Sequence, residues 1–379
     1  MCLSRYVIVK SGIRVRTVRF YFLEVGFMDI SQIDSNFRIE TGLDKTDIKF
    51  YDVKNPPFEI DGVFYESGAF RRMPESVAKA TNKGVADLHT NTAGGRIRFI
   101  TDSPYVAINA KISSPGKMSH MAFTGSIGFD LYVKTNGEDV FVNTYTPPTD
   151  IIDKYEGIIE FGTAEEREIT VNMPLYSNVN ELYVGLSENA AVMPAKPYGV
   201  KKPVVYYGSS ITQGGCASRP GMSYQAMISR ALSCDYINLG FSGSARGEDT
   251  VARYIAGMDM SLFVYDYDHN APSAEHLKKT HGRMFGIIRG KNPTLPIILL
   301  SRPKFRLSEA EEQRFDIIKQ TYDDAVRGGD KNVRLLSGRE LMRLAKRDGT
   351  VDNCHPNDFG FASMAAALIP VIKEMLPDV

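Results

Sequence analysis

The sequence predicts an α/β protein with a doubly wound parallel-sheet domain in its second half and a β-sandwich of jelly-roll type before it. Three observations lead there. At 379 residues the chain exceeds what one ordinary core serves, so two domains are expected. Hydrophobic periodicity changes near residue 200, from short alternating runs to apolar runs interleaved with helical stripes. The segment 192–203 (VMPAKPYGVKKP), with three prolines, falls at that change and reads as a linker.

The first half is read as strands. GRIRFIT (95–101), YVAINAKI (105–112), GFDLYVK (128–134), DVFVNTY (139–145), REITVNM (167–173) and ELYVGLS (181–187) alternate and are rich in β-branched or aromatic residues. Gly94, Pro104, Asn136-Gly137 and Pro147-Pro148 punctuate them, and a helix is expected around 75–82. Many short strands at this spacing indicate a sandwich, assigned to 28–191.

Residues 1–27 form an atypical extension in which Arg5, Lys10, Arg14, Arg16 and Arg19 stand against the single acid Glu24. Glu24 interrupts the one apolar stretch a signal peptide would need. Met28 opens a more ordinary polar sequence, which leaves two readings, a start codon placed too early or a genuine arm. Localisation stays open with it: cytoplasmic by default, periplasmic or secreted if the true start differs.

Beyond the linker, 204–379 is read as the second domain. PVVYYG (203–208), YINLG (236–240), SLFVYDY (261–267), LPIILLS (295–301) and NVRLLS (332–337) are apolar strands between amphipathic helices. One helix aligns Leu277, Met284, Phe285 and Ile288, and another Phe315, Ile318, Tyr322 and Val326. Buried strands with crossover helices make a parallel sheet, whose ligands bind beyond the carboxyl ends of the strands.

Composition removes several function classes. Lys plus Arg and Asp plus Glu are 45 each, which leaves no electrostatic footprint for nucleic acid or an anionic membrane. No apolar run approaches the length of a spanning helix. Four cysteines are too few for a disulfide framework and lack paired metal-site spacing, so they indicate no metal site. No pattern bears on oligomeric state.

The strand ends carry the chemistry. After the first comes Gly208-Ser209-Ser210-Ile211-Thr212-Gln213-Gly214-Gly215. It lacks the lysine of a phosphate-binding loop and the glycine spacing of a dinucleotide fingerprint. A serine nucleophile on a tight turn remains, beside a purely structural turn. The second strand leads to Phe241-Ser242-Gly243 and the third to Asp266-Tyr267-Asp268-His269-Asn270-Ala271, where a small residue and an asparagine could offer N–H donors to an oxyanion. A calcium loop fails there, because Ala271 and Leu277 occupy the positions that need glycine and a carboxylate. Near the C-terminus, Asp352-Asn353-Cys354-His355 spaces an aspartate to orient an imidazole as base.

Taken in this order, these blocks make the second domain resemble the SGNH (GDSL-like) hydrolase family, whose fold is a flavodoxin-like parallel sheet. The resemblance places Ser210 as nucleophile, Gly243 and Asn270 as oxyanion donors beside the Ser210 N–H, and Asp352 and His355 as the rest of a triad. Gly128-Phe129-Asp130-Leu131-Tyr132 resembles the Gly-x-Asp-Leu-Tyr signature of a β-domain that precedes one branch of these esterases. Two departures stand out: Ser209 replaces the usual aspartate before the nucleophile, and Asp268-His269-Asn270-Ala271 replaces the usual Gly-x-Asn-Asp.

The resemblance implies cofactor-free hydrolysis of a small-molecule or oligosaccharide ester. Small polar loops favour short acyl groups such as O-acetyl on carbohydrate, with Gln213, Arg219, Arg246, Glu248 and His269 as residues to meet the substrate. The alternatives are a lipase or thioesterase for longer chains, or a non-catalytic carbohydrate-binding protein on the same fold. The triad loops also bring Cys216 and Cys354 into one neighbourhood, either bonded or as two free thiols.

Overall fold

Two antiparallel sheets enclose a shared core over residues 48–194 of the computed structural model, which describes residues 41–376. The extension 1–27, the head of the expected sandwich and Cys2 lie outside the described residues. One sheet runs in the order Ile48–Asp52, Asn178–Ser187, Tyr105–Ser114, Lys154–Glu160. The other runs Val192–Pro194, Arg96–Thr101, Arg167–Asn172, Phe129–Thr135, Glu138–Tyr145, with Glu59–Asp61 also pairing Arg96–Thr101. Alternate residues Ile97 and Phe99, Ile169 and Val171, and Val106, Ile108, Ala110 and Ile112 fill the interior. Each of these side chains larger than alanine contributes roughly 1.5–3 kcal/mol on burial.

Strand Lys154–Glu160 is absent from the sequence reading because Gly157 breaks its alternation. That glycine lies against the Tyr145 ring, where a Cβ would approach to 3.2 Å. The linker is shorter than expected. Val192–Pro194 pairs along Arg96–Thr101 and the next strand begins at Val200, leaving 195–199 between them. Pro194 fits because the strand lies at a sheet edge, where its missing N–H is no loss.

The parallel sheet has the order Cys234–Gly240, Val200–Gly208, Leu262–Asp266, Ile297–Leu300, Val333–Leu336. The second strand is outermost and the first lies beside it, the doubly wound order with its switch point between the first and third strands. Val204 and Tyr206 pack on one face with Ile228, Phe361 and Leu368 from helices Tyr224–Leu232 and Asp358–Met375. Val205 and Tyr207 pack on the other with Val251, Leu277 and Ile318 from helices Asp249–Ala256, Ala274–Lys291 and Glu309–Arg327.

The regions before and after residue 200 share these cores. Met73, Ala78 and Val85, around the helices Glu75–Thr81 and Lys83–Leu88, pack with Leu239 and Phe241, while Met121, Leu175 and Tyr176 join the opposite face. Among the described residues no helix is long and apolar enough to cross a membrane.

Candidate active site

The first parallel strand ends at Gly208, where a Cβ would meet Thr212 Oγ1 at 2.1 Å and the Asp266 carbonyl at 2.4 Å. Only a bare backbone lets the chain turn this tightly. Ser209 caps the short helix Ser210–Gln213 by accepting the Ile211 N–H at 3.2 Å, so serine here supplies a cap without a carboxylate. Gly214 closes the helix at φ +101°.

Ser210 Oγ lies 2.9 Å from His355 Nε2, and His355 Nδ1 lies 2.8 Å from Asp352 Oδ2. The structure thus brings Ser210 against an Asp352–His355 pair 142 and 145 positions further along, in the linear order that a nucleophile, a base and its orienter need. With Asp352 on Nδ1, the imidazole proton belongs there and Nε2 is left to accept from the serine hydroxyl. The other Asp352 oxygen accepts the backbone N–H groups of Cys354 (3.0 Å) and His355 (2.7 Å). Partial burial opposes ionisation of this carboxyl, but those hydrogen bonds and the imidazole bring its pKa down to about 2. Asn353 at φ +62° curls the loop, and the Val351 N–H donates to the His355 carbonyl at 2.9 Å.

Gly243 and Asn270 lie on the loops after the two strands that flank the first. Neither the Ser210 nor the Gly243 N–H donates to another described residue. Asn270 Nδ2 donates one hydrogen to the Phe241 carbonyl at 2.9 Å, tying its loop to that of Gly243 and leaving the second hydrogen for a ligand. The altered third block keeps one backbone bond of its own, from the Ala271 N–H to the Asp268 carbonyl at 3.2 Å, and is otherwise held by arginines. Arg302 grips the buried Asp268 carboxylate through Nε (3.0 Å) and Nη2 (2.8 Å), and Arg314 donates to the carbonyls of Asp268 (3.1 Å) and Ala271 (3.0 Å).

Of the five residues expected to meet the substrate, Gln213, Arg219 and Glu248 are engaged elsewhere and His269 is enclosed. Gln213 is buried, with its amide on Asn91 Oδ1 (3.0 Å), the Leu175 carbonyl (3.2 Å) and the Ser242 N–H (3.0 Å). Arg219 binds Asp130 (3.0 Å) and the Tyr132 hydroxyl. Glu248 accepts from Asn82 at 2.6 Å. His269 has its Nε2 enclosed and its Nδ1 3.9 Å from Cys354 Sγ, and burial, then the Arg302 charge, lower its pKa to about 4. Arg246 alone keeps an exposed charged end. Cys216 and Cys354 are free thiols.

The structure adds residues that sequence reasoning missed. The Tyr176 hydroxyl donates to the Ser210 carbonyl at 3.1 Å. Arg72, fully buried and lowered to about 9 by that burial, donates to the carbonyls of Asn91, Asn238, Gly240 and Leu88. Asn82 donates to the Ser244 carbonyl at 2.9 Å, fixing the loop of Gly243. Asp130 of the Gly-x-Asp-Leu-Tyr motif is buried and accepts the Gly221 N–H at 2.8 Å and Asn172 Nδ2 at 2.7 Å, besides Arg219. Its motif was visible beforehand, but the other three had no local signal.

Residues 201–373 match the GDSL-like lipase/acylhydrolase family, and residues 48–192 match the N-terminus of SGNH-hydrolase-type esterases. No curated protein matches the chain. A structure described as a GDSL-like lipase from Bacteroides ovatus is 28% identical, with a TM-score of 0.79 over 87% of this chain and 98% of that one. A salicylyl-acyltransferase from a tetracycline biosynthetic pathway is 21% identical, with a TM-score of 0.68 over 88% and 100%. An acetyl xylan esterase from Butyrivibrio proteoclasticus shares the fold at 12% identity, with a TM-score of 0.59 over 87% and 100%.

Proposed function

The chain belongs to the GDSL-like lipase/acylhydrolase family and is an ester hydrolase, and we propose that it cleaves short acyl esters, foremost O-acetyl groups on carbohydrate, with Ser210 as nucleophile. The observation that carries this reading is the continuous line Ser210 Oγ–His355 Nε2 at 2.9 Å and His355 Nδ1–Asp352 at 2.8 Å. His355 takes the serine proton as Oγ attacks the ester carbonyl, and Asp352 stabilises the imidazolium. The N–H groups of Ser210 and Gly243 and the free hydrogen of Asn270 receive the oxyanion. The imidazolium returns its proton to the leaving alcohol, and water resolves the acyl-enzyme by the same path.

Small residues about the serine support a short acyl group. At Gly215 a Cβ would already stand 3.0 Å from the Tyr176 hydroxyl and from the Ser210 carbonyl, and 3.4 Å from His355 Cδ2. The carbohydrate part of the reading draws on the fold shared with the acetyl xylan esterase.

A fluorophosphonate should modify Ser210, and Ser210→Ala should abolish both labelling and hydrolysis. Labelling that moves to Ser209 would refute the nucleophile. For the substrate, kcat/KM on p-nitrophenyl acetate, butyrate and octanoate should fall with chain length, and acetylated oligosaccharide should release acetate. Each methylene buried in a matching groove contributes about 0.8 kcal/mol, so a long-chain lipase would show the reverse trend.

A further inference from the structure

Beside the proposed triad stands a second constellation that shares only its histidine. His120 lies in the segment before the helix Phe123–Ser126, Cys216 follows the nucleophile turn, and His355 closes the group from the C-terminal loop. One nitrogen or sulfur from each lies within 4.8 Å of the others. The His120 and His355 rings are 5.6 Å apart and tilted by 48°. His120 is exposed and free to adjust, whereas the Cys216 side chain is largely enclosed.

Two imidazoles and a thiol form a borderline-soft donor set, suited to zinc far better than to calcium or magnesium. His355 Nδ1 is already held by Asp352 at 2.8 Å, so the nitrogen turned to the group is Nε2. A carboxylate behind a ligating imidazole is the outer-shell partner that zinc-binding histidines ordinarily have. A nearby alternative, Asp352, Cys354 and His355, also clusters within 4.8 Å, but it would need Nδ1 and would break the Asp352–His355 bond.

We propose that His120, Cys216 and His355 form an inhibitory zinc(II) site beside Ser210. The inference rests on His355 acting as the base. Zinc there would occupy the Nε2 lone pair that must accept the Ser210 proton, so hydrolysis and metal binding exclude each other. The Cys216 thiol gives up its proton to solvent as the zinc–sulfur bond forms, so binding weakens as pH falls. Three protein ligands leave the fourth tetrahedral position to water.

Zinc chloride titrated into the chelator-treated full chain, with p-nitrophenyl acetate hydrolysis as readout, should inhibit stoichiometrically at saturation and be reversed by EDTA. His120→Ala and Cys216→Ser should keep basal hydrolysis yet require at least about tenfold more zinc, since even outer-shell losses cost 10–100-fold in metal affinity. Cys354→Ser should behave like the parent. A second readout needs no activity: cobalt(II) added to Ser210→Ala should give a thiolate-to-cobalt charge-transfer band in the near ultraviolet, which Cys216→Ser removes. That arm separates failure of the metal site from failure of the proposed hydrolysis. Inhibition equal in all variants, inhibition lost only in Cys354→Ser, or no cobalt–thiolate band would overturn the proposal.

Discussion

Around Ser210 the turn closes on its own backbone but most of its side-chain braces come from far along the chain, while the loop bearing Asp352 and His355 is tied mostly to itself. Tyr176 reaches the Ser210 carbonyl across 34 positions, Asn91 meets Gln213 across 122, and Arg72 meets Gly240 across 168. The Asp352 carboxylate instead accepts N–H groups two and three residues on, and Asn357 donates to the Asp348 carbonyl nine positions back. A long-range tie just beyond that loop is Asp358, which accepts the Ser218 N–H at 2.8 Å. The serine is thus placed by the tertiary structure and the histidine by a local turn. A fault anywhere in the first half can displace the serine, whereas the Asp–His pair should survive most distant changes.

Four substitutions test that contrast. The largest effect is expected for Asp352→Asn, which keeps the loop's shape but favours the wrong imidazole tautomer. It should lower kcat by roughly 10⁴-fold with the fold intact by circular dichroism. A mild loss would mean that the local turn, not the carboxylate charge, orients His355.

Asn270→Ala removes a proposed oxyanion donor together with its tether to the Phe241 carbonyl, and kcat should fall by about 10²–10³-fold. Unchanged kcat would remove Asn270 from the site.

Tyr176→Phe probes the distant bracing alone. The Ser210 carbonyl keeps the N–H groups of Gly214 (3.1 Å) and Gly215 (2.8 Å), so the loss should be about 1 kcal/mol, up to roughly tenfold in kcat with KM unchanged. If only the melting temperature moves, the tyrosine supports the fold and not the serine's aim.

The smallest effect concerns Asp266, whose buried carboxyl accepts the Thr212 hydroxyl at 2.9 Å beneath the turn. Burial pushes its pKa up to about 7, with the Thr212 hydrogen bond opposing and Asp268 adding repulsion. A pKa raised on folding gives stability that is present below the unfolded value of about 4 and lost as pH rises through about 7. Asp266→Asn should therefore flatten the fall in melting temperature across that window. A parent and variant with parallel profiles would show that Asp266 does not titrate there.

The same contrast explains what could be read in advance. The alternation of Ile97 with Phe99, the apolar runs of the parallel sheet and the Asp-x-x-His spacing are local patterns, and each led to the element or pairing found. Tyr176, Arg72 and Arg314 act on carbonyls brought near only by folding, so no spacing announces them. The same blindness misdirected the substrate residues. Polar side chains on glycine-rich loops were expected to face a ligand, but Gln213 and Arg219 satisfy groups contributed by Asn91, Leu175 and Asp130. Buried polar atoms are almost always paired, and the identity of the pair is a tertiary fact.

The sequence positions of these supports have a consequence for biosynthesis. Arg72, Asn91, Asp130 and Tyr176 all precede Ser210, so translation completes them first, and chains generally begin folding from the end made earliest. The serine therefore emerges onto a scaffold already supplied, but Asp352 and His355 follow the last strand of the parallel sheet. A ribosome-bound chain that has passed residue 337 already contains Ser210 and its side-chain braces but not the proposed base. A product cut short before that loop would also lack the helix Asp358–Met375, whose Phe361 and Leu368 cover one face of the parallel sheet, so the proposed base and the last piece of that core arrive together.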